Sequence, residues 1–378
     1  MIPVFQPFSD EEEEKALAEV IRSHWWGLGP KTEEFEKKFS EYIGTGSAVG
    51  LNSGTSALHL AVDSLGVGQG DEVIMPSMTF ISCAHSVVYC GGVPVFADVN
   101  PNTITLDPRD VEKKITARTK AIMAVHYAGH PCDMQEILRI ADSHNIPVIE
   151  DCAHSAGAEY KNRKTGSIGS VGCFSFHPVK NIATGDGGML TTDDPEVADA
   201  VRTKRWLGIT KTTWDRYAAP ARQGGQPSWA YEVNVLGYKY HMNDIQAALG
   251  LVQLSRLEKT NSRRSLIAKF YRDELSRIDS VNVPEEQSWA KSSWHLFVVK
   301  AERRDELYSY LSQRGITTSV HYVPIHLMGF YANRAGSKTL PVTERLASRI
   351  LTLPMYPNLT EPDLHRVVDT MLQFYREH

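Results

Sequence analysis

The chain is poor in the features that mark a protein for nucleic acid, membrane or export. Its 378 residues carry 40 Lys and Arg against 45 Asp and Glu, a formal net charge of −5. No basic block stands out, which argues against nucleic acid and anionic membranes as partners. No stretch is long and apolar enough to span a bilayer. Met1-Ile2-Pro3-Val4-Phe5 lacks the basic and apolar regions of a secretion signal. Cysteine is sparse and odd in number: Cys83, Cys90, Cys132, Cys152 and Cys173 lie among apolar residues in no pairing pattern, as reduced thiols do. Internal repeats and low-complexity segments are missing too. These absences predict a soluble cytoplasmic protein, and its length suits a large domain plus a smaller one.

Missing motifs narrow the chemistry further. No Gly-x-Gly-x-x-Gly follows a predicted strand; Gly66-Val67-Gly68-Gln69-Gly70 follows a helix instead, which argues against a dinucleotide site. Walker, His-Glu-x-x-His and Gly-x-Ser-x-Gly motifs do not occur. His126, His130 and Asp133 are conceivable metal ligands, but histidines in a loop after a strand are more often structural.

What is present alternates. Ser56 to Leu65 reads as a helix opening after Asn52-Ser53-Gly54-Thr55. Glu72 to Met75, Val93 to Phe96, Ala121 to Val125 and Pro147 to Glu150 read as strands, with a helix around Met134 to His144. That pattern predicts α/β architecture with a largely parallel sheet, whose ligands sit at the carboxyl ends of the strands. His126, Asp151 and the Pro76–Phe80 loop fall there. Ser9 with Glu12 fits a capping box before the first helix. Met242 to about Leu275 reads as one long helix. Beyond Pro284, strands at Leu296–Val299 and Thr317–His321 and helices at Asp305–Arg314 and Glu361–Tyr375 suggest a compact α+β unit. The expected division is residues 1–250 and 251–378. Gly208 to Trp229, polar and rich in Gly, Pro, Trp and Arg, is expected to be irregular.

One lysine concentrates the chemistry. Phe174-Ser175-Phe176-His177-Pro178-Val179-Lys180 places it past a strand, before Thr184-Gly185-Asp186-Gly187-Gly188. Apolar walls would desolvate it into a carbonyl nucleophile; a buried lysine serves equally as half of an ion pair. Asp151, ending an apolar strand, needs a cationic partner, and a protonated pyridine is a natural one. Backbone amides alone are the alternative. Gly54, Thr55 and Ser56 open a helix, where free N–H groups suit a phosphate, and Ser175 could add a hydroxyl. Phe80 could stack on a ring or fill the core. Together these residues suit pyridoxal 5′-phosphate (PLP).

Over essentially its whole length the chain resembles the DegT/DnrJ/EryC1/StrS family of PLP-dependent sugar aminotransferases. The landmarks include Trp26-Gly27-Leu28-Gly29-Pro30, Asn52 to Leu58, Pro76 to Phe80, His126-Tyr127-Ala128-Gly129, Glu150-Asp151, Phe174 to Lys180 and Gly185 to Gly188. Gly237-Tyr238-Lys239-Tyr240, Asp244 to Ala248 and Val320-His321-Tyr322 complete them. The resemblance implies a fold-type I, aspartate aminotransferase-like subunit: a large domain with a mostly parallel seven-stranded sheet sandwiched by helices, and a smaller α+β C-terminal domain. It implies a homodimer with shared sites. Lys180 would hold the cofactor as the internal aldimine and Asp151 would pair with the pyridinium. His154, where many members have Gln, would meet the phenolic oxygen. Phe80 would stack on the ring, and Thr55, Ser56 and Ser175 would hold the phosphate. Lys239, where many members have Asn, would reach it from the neighbouring subunit. Trp26, His321 and Tyr322 fall on the substrate side.

The family also holds dehydratases with His in place of the lysine, so Lys180 favours transamination: L-glutamate would load the pyridoxamine form, which would then aminate a sugar ketone. The Gly208–Trp229 segment, with Lys211, Trp214, Arg216 and Tyr217, is similar to that of members acting on nucleotide-linked 4-keto-6-deoxyhexoses. A 3-keto sugar, a cyclitol ketone, or a PLP-binding regulatory protein are the alternatives.

Overall fold

The alternation of apolar runs and helical segments produces a seven-stranded sheet in the computed structural model, which describes residues 1–218, 222–223, 226–227, 229–332 and 339–377. Its strands are β1 (Ser47–Leu51), β2 (Glu72–Pro76), β3 (Val93–Ala97), β4 (Thr119–Val125), β5 (Val148–Asp151), β6 (Val171–Ser175) and β7 (Gly188–Thr192), in the order β1-β7-β6-β5-β4-β2-β3. Only β7 runs against its neighbours. Apolar side chains leave both faces: Ile149, Met75, Met123 and Val125 pack with helices on one side, Ile74, Ile122, Ala124 and Val148 on the other. Burial on both sides accounts for the near-continuous apolar runs of these strands.

The helices that matter for the site are α1 (Glu11–Ser23), α2 (Pro30–Ile43), α3 (Gly54–Ser64) and α4 (Ser82–Tyr89). α3 begins at a reciprocal cap: Ser56 N–H donates to Ser53 Oγ and Ser53 N–H to Ser56 Oγ, both at 3.1 Å. Gly54 lies so close to β6 that a Cβ there would stand 2.7 Å from Ser175 Cβ. That contact draws the helix start onto the strand leading to Lys180. A smaller antiparallel sheet, β8 (Val281–Asn282), β9 (Phe297–Ala301) and β10 (Ile350–Leu353), packs with helices Arg304–Gln313 and Glu361–Glu377 around its own apolar cluster.

Four local expectations change. The box that opens α1 is Asp10 with Glu13, one residue later than Ser9 and Glu12. Tertiary contacts select this register, because Glu13 is buried against Gln253 and Arg256. The predicted single helix from Met242 is two, Asp244–Ser255 and Leu257–Leu275. The break falls at Arg256, whose guanidinium is tied to Asp10 at 3.0 and 3.1 Å; no Gly or Pro announces it. Thr317–His321 is not a strand: only Ser319 bridges to Thr352, and the chain then turns away. Gly208–Trp229 contains a helix, Thr213–Ala218, and a hairpin pairing Arg222–Gln223 with Gln226–Pro227. The remaining part of that expectation, at 219–221, 224, 225 and 228, lies outside the described residues.

Candidate active site

At the carboxyl edge of the sheet a cavity of about 370 Å³ gathers Gly54, Thr55, Phe80, Asp151, His154, Ser175, Lys180, His321 and Tyr322, all expected from sequence. β5 delivers Asp151 to its wall. The loop between β6 and β7 delivers Lys180, whose backbone N–H closes a turn on the His177 carbonyl at 2.8 Å. Protein packed around the Lys180 amine lowers its pKa to about 8, against the opposing pull of Asp151. A larger share of this amine is therefore neutral near neutrality than is the case for a lysine in water.

Asp151 is 5% exposed. Its Oδ1 accepts from Ala153 N–H at 3.0 Å and its Oδ2 from the Cys83 thiol at 2.9 Å. A carboxylate accepts at about four lone-pair positions, so Asp151 retains acceptor capacity toward the cavity. The start of α3 supplies the opposite requirement. Gly54 and Thr55 occupy its first turn, where N–H groups are not used by the helix, and Thr55 Oγ1 lies 2.7 Å from Ser82 Oγ. Phe80 is 55% exposed, an aromatic face left open at the cavity. An amine, a carboxylate, a hydroxyl-lined helix start and an open ring face fit the aldehyde, ring nitrogen, phosphate and ring of PLP.

His154 and Tyr322 form a polar pair. Ala128 N–H donates to His154 Nδ1 at 3.3 Å, so the proton sits on Nε2 and faces the Tyr322 hydroxyl at 2.9 Å. Burial and the nearby Lys180 hold the His154 pKa well below the usual histidine value, and the ring is neutral. Both ring nitrogens are thereby engaged within the protein, which leaves the Tyr322 hydroxyl as the free polar end of the pair. His321 is held by Thr352 Oγ1 at 2.8 Å; burial, reinforced by Lys180, lowers its pKa to about 4. Its carbonyl accepts from the Tyr127 hydroxyl, which accounts for the turn that ends the predicted strand.

Three expected residues stand off the cavity. Ser56 is buried beneath it, its hydroxyl donating to the Ser53 carbonyl at 2.7 Å. Lys239 Nζ lies 3.5 Å from the centre of the Trp206 ring. Trp26 is half exposed, its indole N–H directed at the Ile21 carbonyl. Trp214 and Tyr217 pack against Trp25 at 4.8 and 5.3 Å between ring centres. His126, His130 and Asp133 do not converge: His126 bonds Glu150, His130 the Pro131 carbonyl and Gln287, and Asp133 Tyr160. His126, Glu150 and Cys152 do lie together, but His126 Nδ1 already accepts from Cys132 N–H at 3.0 Å and Nε2 faces Glu150.

Sequence reasoning missed Thr79, Ser82, Cys83, His177 and Asp186, which also line the cavity. Ser82 and Cys83 lie two and three residues after Phe80, and that proximity was the available signal. None of the described helices is long and apolar enough to cross a membrane.

The model of the DegT/DnrJ/EryC1/StrS aminotransferase family matches residues 7–372. Spore coat polysaccharide biosynthesis protein SpsC of Bacillus subtilis is 40% identical over 379 residues, covering 98% of this chain and 96% of SpsC. Among solved structures, DesV of S. venezuelae, in complex with a ketimine intermediate, is 39% identical with a TM-score of 0.89, over 96% of this chain and 94% of DesV. The aminotransferase TlmJ from Streptoalloteichus hindustanus is 35% identical with a TM-score of 0.92, over 100% and 99%.

Proposed function

The chain belongs to the DegT/DnrJ/EryC1/StrS aminotransferase family, and on that premise we propose that it moves the amino group of L-glutamate to a nucleotide-linked 4-keto-6-deoxyhexose. The sugar aminotransferases of this family are PLP-dependent and dimeric. The observation that carries the assignment is the half-buried, desolvated Lys180 amine sharing one cavity with Asp151 and the start of α3.

When bound, PLP supplies an electron sink and a temporary carrier for the amino group. Each residue then has a task its setting supports. Lys180 Nζ would hold the cofactor and would move a proton as general base and acid. Asp151 keeps the ring nitrogen protonated. Gly54 and Thr55 N–H groups, with the Thr55 and Ser175 hydroxyls, hold the phosphate, while Ser56 fixes the cap from which they project. Phe80 covers a ring face. His154 holds Tyr322 in place with the hydroxyl proton free to meet a cofactor or substrate oxygen, and His321 lines the same cavity.

A sugar acceptor is supported by SpsC, named for polysaccharide biosynthesis. The Gly208–Trp229 segment brings Lys211 and Arg216, cations suited to a diphosphate; Arg216 lies over the Tyr231 ring at 4.7 Å. Trp229, Tyr231, Val233 and Leu236 are half or more exposed. A second copy of the chain covering them is the homodimer we propose, with Lys239 offered across the interface.

The test is incubation with glutamate and a panel of nucleotide-linked 4-keto and 3-keto sugars and a cyclitol ketone, followed by product NMR. A new C–N bond at C4 of a 6-deoxyhexose is expected. Amination at C3, or of the cyclitol alone, would replace the substrate assignment.

A further inference from the structure

We propose that Cys83 is a positioning residue that fixes the Asp151 carboxylate through a relay beginning at Thr79. The inference rests on the role proposed above for Asp151 and extends it to residues with no task there. Cys83 lies in the first turn of α4, fully buried. Its sulfur is 2.9 Å from Asp151 Oδ2 and 3.3 Å from Thr79 Oγ1. Burial and the neighbouring Asp151 charge push the thiol pKa well up, so Cys83 keeps its proton. A thiol has a single proton, and an ionised carboxylate only accepts. The S–H therefore points to Asp151, and the Thr79 hydroxyl donates to the sulfur. The order is Thr79 O–H to Cys83 Sγ, then Cys83 S–H to Asp151 Oδ2.

Both Asp151 oxygens are thus held, Oδ1 by Ala153 N–H and Oδ2 by the thiol. The short segment from Thr79 to Cys83 does three things at once. Thr79 and Cys83 orient the carboxylate, Phe80 offers its ring to the cavity, and Ser82 meets Thr55 at the start of α3. Removing the thiol frees one carboxylate oxygen in a buried setting, which raises its proton affinity and loosens its aim. The proton shared by Asp151 and a ring nitrogen then shifts toward Asp151, and the electron sink weakens.

The test uses purified holoenzyme with Cys83→Ala, Cys83→Ser, Thr79→Val and Asp151→Asn, folding being checked by circular dichroism. Two quantities are read: the pH midpoint of the bound cofactor's visible absorbance without substrate, and kcat against KM for glutamate. Cys83→Ala should raise the midpoint and lower kcat by roughly fivefold to tenfold, the order expected for one bond to a charged group, with KM changed less than about twofold. Cys83→Ser, which restores a donor, should recover most of both effects, and Thr79→Val should move both in the direction of Cys83→Ala by less. A folded Cys83→Ala with wild-type midpoint and kcat overturns the proposal, as does a Cys83→Ser no better than Ala. If Cys83→Ala does not fold, Thr79→Val decides: a wild-type midpoint there overturns the relay. Asp151→Asn separates the two levels. An unshifted midpoint in that variant removes the Asp151 role itself; a shifted one beside a silent Cys83→Ala removes only the relay.

Discussion

Glu150 and Asp151 are adjacent carboxylates on β5, and strand alternation sends them to opposite faces of the sheet. On one face Glu150 is closed off. It accepts from Gly166, Ile168 and Gly169 N–H groups at 3.0, 2.7 and 2.7 Å, and pairs with His126 at 2.9 Å. Burial alone would raise its pKa, but those bonds outweigh it and the pKa is lowered. On the other face Asp151 has the Ala153 N–H and the Cys83 thiol, and its remaining acceptor positions meet a cavity with Lys180. Two like residues at one strand end thus differ in what is left unfilled. The satisfied carboxylate is architecture, and the one with open acceptor positions is where we propose that a ligand binds.

The comparison fails most visibly if the open face is not chemical. Lys180→Ala should cost activity by on the order of 10³-fold or more, with the melting temperature unchanged or raised, since a partly desolvated amine is lost; near-normal turnover would remove the open face from the chemistry. The two neighbouring carboxylates should respond in opposite ways. Asp151→Asn should lower kcat by on the order of 10²-fold while melting within a few degrees of wild type. Glu150→Gln should do the reverse, losing about 3–5 kcal/mol of stability in urea melts while the folded fraction keeps kcat within about tenfold.

The same asymmetry predicts opposite pH windows in the cofactor-free protein. Glu150, with a lowered pKa, contributes stability fully present above its unfolded value of about 4.3 and lost as pH falls through the folded one. Lys180, lowered to about 8 against about 10.4 unfolded, costs stability at all pH below 8 and gives it back as pH rises toward 10. Urea midpoints should therefore climb from pH 8 to 10 in wild type, and climb less in Lys180→Met. The smallest effect lies away from both carboxylates. Trp214→Ala should cost about 1 kcal/mol of packing on Trp25 and leave the glutamate reaction untouched, changing only KM for the sugar; a loss of glutamate turnover would place that segment in the cofactor site.

Much of this was readable from residues whose chemistry is local. The strands β2 to β5, α3 and the helix Met134–Ser143 follow from apolar runs and caps, and Lys180, Asp151, Thr55 and Ser175 from residue type at strand and helix ends. What escaped depends on contacts distant in sequence. The break at Arg256 is set by Asp10 and Glu13, some 240 residues earlier. The diversion at His321 is set by Tyr127. Cys83 looked like one more apolar thiol, because only the fold brings it to a carboxylate 68 residues on.

If the open face works as a transaminase, its first half-reaction proceeds with glutamate alone. Yellow holoenzyme mixed with L-glutamate alone should lose its visible absorbance and release one 2-oxoglutarate per site, reversibly on adding 2-oxoglutarate. An enzyme that stays yellow at saturating glutamate, with no 2-oxoglutarate formed, would show that the open face is not a transaminase site.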